Sequence, residues 1–100
     1  EIEAADRNLQ RKQLEQDSEW KELVNRLEEA KARYRLSLKL EEAQRLKMNH
    51  ERGRQERGRT TTYQVLLFEQ DFVEAQTTRI RTQFDLINVI TQMKLFSERL

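Results

Sequence analysis

His50-Glu51-Arg52-Gly53-Arg54-Gln55-Glu56-Arg57-Gly58-Arg59 decides the fold. It holds both glycines of the 100-residue chain, and no apolar residue lies between Met48 and Tyr63. Two glycines without an apolar anchor predict a break in secondary structure. Thr60-Thr61-Thr62 follows, and Thr61 with Gln64 has the spacing of a capping box, which satisfies orphan amides at a helix start. The reading is a helix over about 2–50, a turn over about 52–60 and a helix over about 61–100.

Outward from the turn, both halves carry helical periodicity. Val65, Phe68, Phe72, Ala75, Arg79, Thr82, Leu86, Val89, Met93, Phe96 and Leu100 alternate spacings of three and four. That is a heptad seam, with Arg79 and Thr82 as its polar members. A second line, Leu66, Val73, Ile80 and Ile87, recurs every seven residues, with Phe84 and Ile90 beside it. The apolar face is thus wider than one partner helix can cover, which predicts a larger bundle or ring.

The first half is more charged. Trp20, Leu23, Leu27, Ala30 and Tyr34 form a seam, which is expected to shift to Leu36, Leu40, Ala43 and Leu46. Ile2, Ala5 and Leu9 make a weaker segment upstream, and Trp20 is expected to pack on the partner helix. Glu28, Glu29 and Arg33 belong to a solvated face. At a rise of about 1.5 Å per residue the helices span roughly 75 and 60 Å. A short turn makes them antiparallel neighbours, so the class is all-α: one long antiparallel helical hairpin, a coiled coil, over 1–100.

Composition agrees with a rod. Charged residues are 37% and hydrophobic ones 36%, with no proline to interrupt a helix. The net charge of +1 gives no whole-chain reason to bind nucleic acid or an anionic membrane. Without cysteine there is no disulfide and no thiolate metal site. No apolar run approaches the roughly 20 residues of a membrane helix. The pattern begins at once, without a methionine or a secretory signal, and still runs at Leu100, so the expectation is a piece of a longer chain.

The residues offer no pattern that catalytic chemistry would use. His50 is the single histidine and reads as a solvated residue near a helix end. Ser18, Ser37 and Ser97 have no histidine base, so no nucleophilic triad is expected. Gly53 and Gly58 share the glycine spacing of a P-loop, but no Lys-Ser/Thr follows and no strand precedes. Neither enzymatic activity nor a cofactor is expected. Arg52, Arg54, Arg57 and Arg59 read either as a solvated turn or as a docking tip, since guanidinium groups bind carboxylates and carbonyls in two-point fashion. Nucleic acid is a weaker reading, because no aromatics interleave the arginines.

From Gly58-Arg59-Thr60-Thr61-Thr62-Tyr63-Gln64-Val65-Leu66 through Glu69-Gln70-Asp71 to Ala75-Gln76, the second half resembles the TolC family of outer-membrane efflux channels. Members carry a glycine and a threonine-rich helix start. A Val-Leu pair follows seven and eight residues after the glycine, an alanine seventeen after it, and an aromatic about nine further on. Val65, Leu66, Ala75 and Phe84 occupy those places without a gap. The resemblance spans about residues 18–96 and is specific from Gly58 to Phe84.

The resemblance implies a trimer whose long hairpins build a hollow α-barrel across the periplasm, with the glycine turn at the closed entrance. The tip would meet the helical hairpin of a periplasmic adaptor, with an inner-membrane pump below. This chain would be the periplasmic tip of such a channel, without membrane contact of its own. Gly53, Arg54, Arg57, Gly58, Arg59 and Thr60 would form the docking tip. Val65, Phe68, Phe72, Ala75, Leu86 and Val89 would pack the seam. The sequence departs from the family where a tyrosine three before the glycine and an arginine two after it hold the entrance shut: here stand Gln55 and Thr60. Rival readings are a generic antiparallel coiled-coil scaffold and the adaptor hairpin itself. The adaptor's usual Arg, Leu and hydrophobic-Ser tip is absent between Gly53 and Thr62.

Overall fold

The computed structural model describes residues 2–99 and consists of two helices, α1 (Ile2–Glu56) and α2 (Thr62–Arg99). They pack side by side as an antiparallel hairpin measuring 85 × 16 × 15 Å. No strand occurs among the described residues. No described helix is long and apolar enough to cross a membrane.

α2 keeps its predicted seam. Val65 and Phe96 are buried, and Phe68, Phe72, Ala75, Arg79, Thr82, Leu86, Val89 and Met93 are half-buried. Leu100 lies outside the described residues. Trp20 stacks on Phe96 with ring centroids 5.9 Å apart, which fixes the register at the end away from the turn. From Glu3 to Glu19, α1 is exposed throughout, so Ala5 and Leu9 find no partner helix; the Ile2 side chain lies outside the described ones.

The seam of α1 corrects the sequence reading. It holds Leu23, Leu27, Ala30 and Tyr34 as expected, but then it does not shift. The same three-four phase continues through Ser37, Glu41, Gln44, Met48 and Glu51, of which Ser37, Met48 and Glu51 are buried. Leu36, Leu40, Ala43 and Leu46 are all exposed. The cause lies across the interface. Ser37 Oγ and Thr82 Oγ1 are 2.7 Å apart in a hydrogen bond, and Arg79 Nε donates to Glu41 at 2.6 Å. Turning the leucines inward would set apolar side chains against Arg79 and Thr82, leaving a charge and a hydroxyl without partners. Re-phasing α1 by one residue would also rotate it about 100°, which an unbroken helix leading into a tight turn resists.

Candidate functional site: the turn and its arginines

The turn is shorter than the sequence reading placed it. α1 runs through Gly53 to Glu56, so only residues 57–61 connect the helices. Gly53 is therefore a helical residue, not part of the break. Side chains around it brace the last turns of α1: Arg54 pairs with the buried Glu51 at 2.8 Å, and Arg57 Nε donates to the Gly53 carbonyl at 3.2 Å. The real stop is Gly58, whose φ of 70° lies in the left-handed region. The Gly58 amide donates to the Gln55 carbonyl at 2.9 Å and the Arg59 amide to the Arg54 carbonyl at 2.8 Å. This is a Schellman cap, in which a left-handed glycine lets two amides satisfy the last helical carbonyls. The predicted start of α2 holds: Thr61 Oγ1 accepts from the Gln64 amide at 3.2 Å, and the first helical bond runs from the Val65 amide to the Thr61 carbonyl.

Two contacts lock the turn across the helices. Arg52 binds Glu69 at 2.9 Å, and Gln55 Nε2 donates to Thr62 Oγ1 at 3.0 Å. These sort the predicted docking residues. Arg54 serves the turn itself, since its other nitrogen donates to the Arg59 carbonyl at 3.2 Å. Arg57 and Arg59 are exposed, and the Arg59 guanidinium makes no hydrogen bond or ion pair among the described residues. Thr60 is half-buried, and His50 is exposed on α1 as expected. An added Cβ on Gly58 would meet nothing within 4 Å, so the glycine presents bare backbone outward.

The sequence reading missed Glu51, Arg52 and Glu69 as turn braces. The signal was present: an antiparallel turn centred near Thr60 brings Arg52 level with Glu69. Elsewhere, Arg45 hydrogen-bonds Glu42 and holds its carboxyl below the usual range on the open surface. No group of three or more His, Cys, Asp or Glu among the described residues could hold a metal. No family model, no curated protein and no solved structure matches the chain.

The two glycines make opposite predictions. A Cβ on Gly53 would come 3.5 Å from the Arg57 guanidinium, an ordinary contact in a helical backbone. Gly53→Ala should therefore stabilise the hairpin by about 0.5–1 kcal/mol. Gly58→Ala should destabilise it by about 1 kcal/mol, the strain of a left-handed L-residue. Urea unfolding of the two variants checks this; equal shifts would contradict the cap.

Proposed function

We propose that the hairpin is the periplasmic tip of a TolC-like outer-membrane efflux channel, and that its turn docks the helical hairpin of a periplasmic adaptor. The observation that carries this is the turn: a left-handed Gly58 with bare backbone, flanked by the exposed Arg57 and Arg59 at the end of a rod 85 Å long. A long rod with its cationic, sterically open end held rigid by side-chain braces suits end-on docking. Backbone can approach closely at the glycine, and the guanidinium groups can bond carboxylates or carbonyls of the adaptor. The gap-free placing of Val65, Leu66, Ala75 and Phe84 after Gly58 supports the channel side of that contact. In this reading the chain is a binding and gating element, not an enzyme. Self-association as a trimer, and indirect contact with an inner-membrane pump, belong to the whole channel.

Binding to a panel of periplasmic adaptor hairpins tests it. Saturable binding is expected, and Gly58→Leu is expected to abolish it; the left-handed backbone strains the leucine by about 1–2 kcal/mol, but no atom lies near the new Cβ, so most of the helical circular dichroism should remain. Binding left unaltered by Gly58→Leu, or no binding at any concentration, would return the chain to the generic coiled-coil scaffold.

A further inference from the structure

Glu51-Arg52-Gly53-Arg54 recurs five residues later as Glu56-Arg57-Gly58-Arg59. The second copy stops α1, and the first lies inside the helix. Nothing in the hairpin calls for a glycine at 53. A Cβ there would meet only the Arg57 guanidinium, at an ordinary distance, and the backbone has no positive φ. Inside a helix glycine is disfavoured against alanine by about fivefold in equilibrium constant. A local conflict without a visible gain points to a second form in which the glycine is required. We propose that α1 has two stops: the long form, capped at Gly58, and a short form capped at Gly53.

Moving the cap carries its bonds onto equivalent residues. The amides of Gly58 and Arg59 now donate to the carbonyls of Gln55 and Arg54. In the short form those of Gly53 and Arg54 donate to His50 and Asn49, with Gly53 in the left-handed region. The segment given up, 54–59, holds no buried residue. The buried Met48 and the pair of Arg52 with Glu69 precede Gly53 and belong to both forms. The connection lengthens to residues 54–61, and it closes. Gly53 stands level with Phe68, as Arg52 does with Glu69, which puts it about 9 Å along the rod from Thr62. The longer connection reaches up to about 26 Å.

Side chains decide which form rests. The long form is held by Arg54 on Glu51 and on the Arg59 carbonyl, by Arg57 on the Gly53 carbonyl and by Gln55 on Thr62. Glu51 is buried, so the loss of its cation weighs most against the short form. A partner carboxylate that takes Arg54 removes this preference and leaves Arg54, Arg57 and Arg59 on one longer, adaptable loop. The inference stands on the repeat and the cap, not on the channel reading. A hairpin with a single stop could still dock an adaptor, and one with two stops need not.

Amide hydrogen exchange of the whole chain tests it residue by residue. The short form frees the amides from Gln55 to Arg59 together and keeps those up to Arg54 bonded. One step is therefore expected, with Gln55 to Arg59 opening alike and Asn49 to Arg54 protected at least about tenfold more. Gly53→Val separates a second stop from an end that frays. Valine is only about twofold better than glycine in a helix, so fraying would slow by about that factor. A β-branched residue is an outlier in the left-handed region that the second stop needs. Gly53→Val is thus expected to slow exchange from Gln55 to Arg59 at least about fivefold, and Gly58→Ala to speed it by a similar factor. Protection that climbs steadily from Arg59 back to Met48 would overturn the proposal. So would slowing by Gly53→Val of less than about fivefold.

Discussion

Phe96→Ala is expected to lower the stability of the hairpin by about 3 kcal/mol. Among the described residues Phe96 is one of four buried apolar ones, with Ala30, Met48 and Val65, and the only aromatic of the four. Truncation removes its buried area and also its stack on Trp20. Trp20 is the single tryptophan, so its fluorescence reports the same contact. The loss should appear both in the urea midpoint and as earlier exposure of Trp20. A half-buried seam residue such as Leu86 should cost less when cut to alanine, about 1–2 kcal/mol, because water already reaches part of it. If Phe96→Ala costs no more than Leu86→Ala, the end of the hairpin away from the turn is open in solution and the seam closes only nearer Leu27.

How far the fold could be read from residues alone differs between the helices. In α2 the apolar side chains follow one strong heptad, so period and packing coincide from Val65 to Phe96. In α1 they do not. Leu36, Leu40, Ala43 and Leu46 are the more apolar stripe, and hydrophobicity assigned them to the seam. The seam instead takes Ser37, Glu41 and Gln44, because α2 opposes them with Thr82 and Arg79. A one-helix pattern cannot see what the opposite helix requires. Register arithmetic from the turn could have, since Glu41 and Arg79 lie equally far from Thr60, which belongs to the connection between the helices.

The turn was legible in kind and misplaced in extent. Glycine content suggested a break from residue 52, but only a positive φ makes a glycine a stop, and Gly53 is helical. Glu51 and Arg54 hold that segment in the helix, a contribution no propensity scale records. The same correction leaves Arg57, Gly58 and Arg59 as the open end of the proposed docking tip, with Arg52 and Arg54 occupied in shaping the turn.

Arg79→Leu, made alone, is expected to destabilise by about 1–2 kcal/mol, whereas Glu41→Leu with Arg79→Leu is expected to be neutral or mildly stabilising. The pair is only partly shielded, with side chains 27% and 20% exposed, so the single change costs less than at a fully buried site. It leaves the Glu41 carboxylate in the seam without its cation, although Gln83, which now accepts from Arg79 at 3.1 Å, loses a partner as well. Removing both charges replaces a polar layer by an apolar one and restores stability, but it removes the reason for α1 to keep its leucines outside. Cysteines at Arg26 and Gln92, whose side chains bond across the helices at 3.3 Å, report that pairing. In the double-leucine hairpin their cross-linking should fall as α1 samples the phase that buries Leu36 and Leu40. Equal stability of the single and double variants would show that Glu41 and Arg79 are uncoupled. Undiminished cross-linking in the double variant would assign the choice of stripe to the turn rather than to the polar layer.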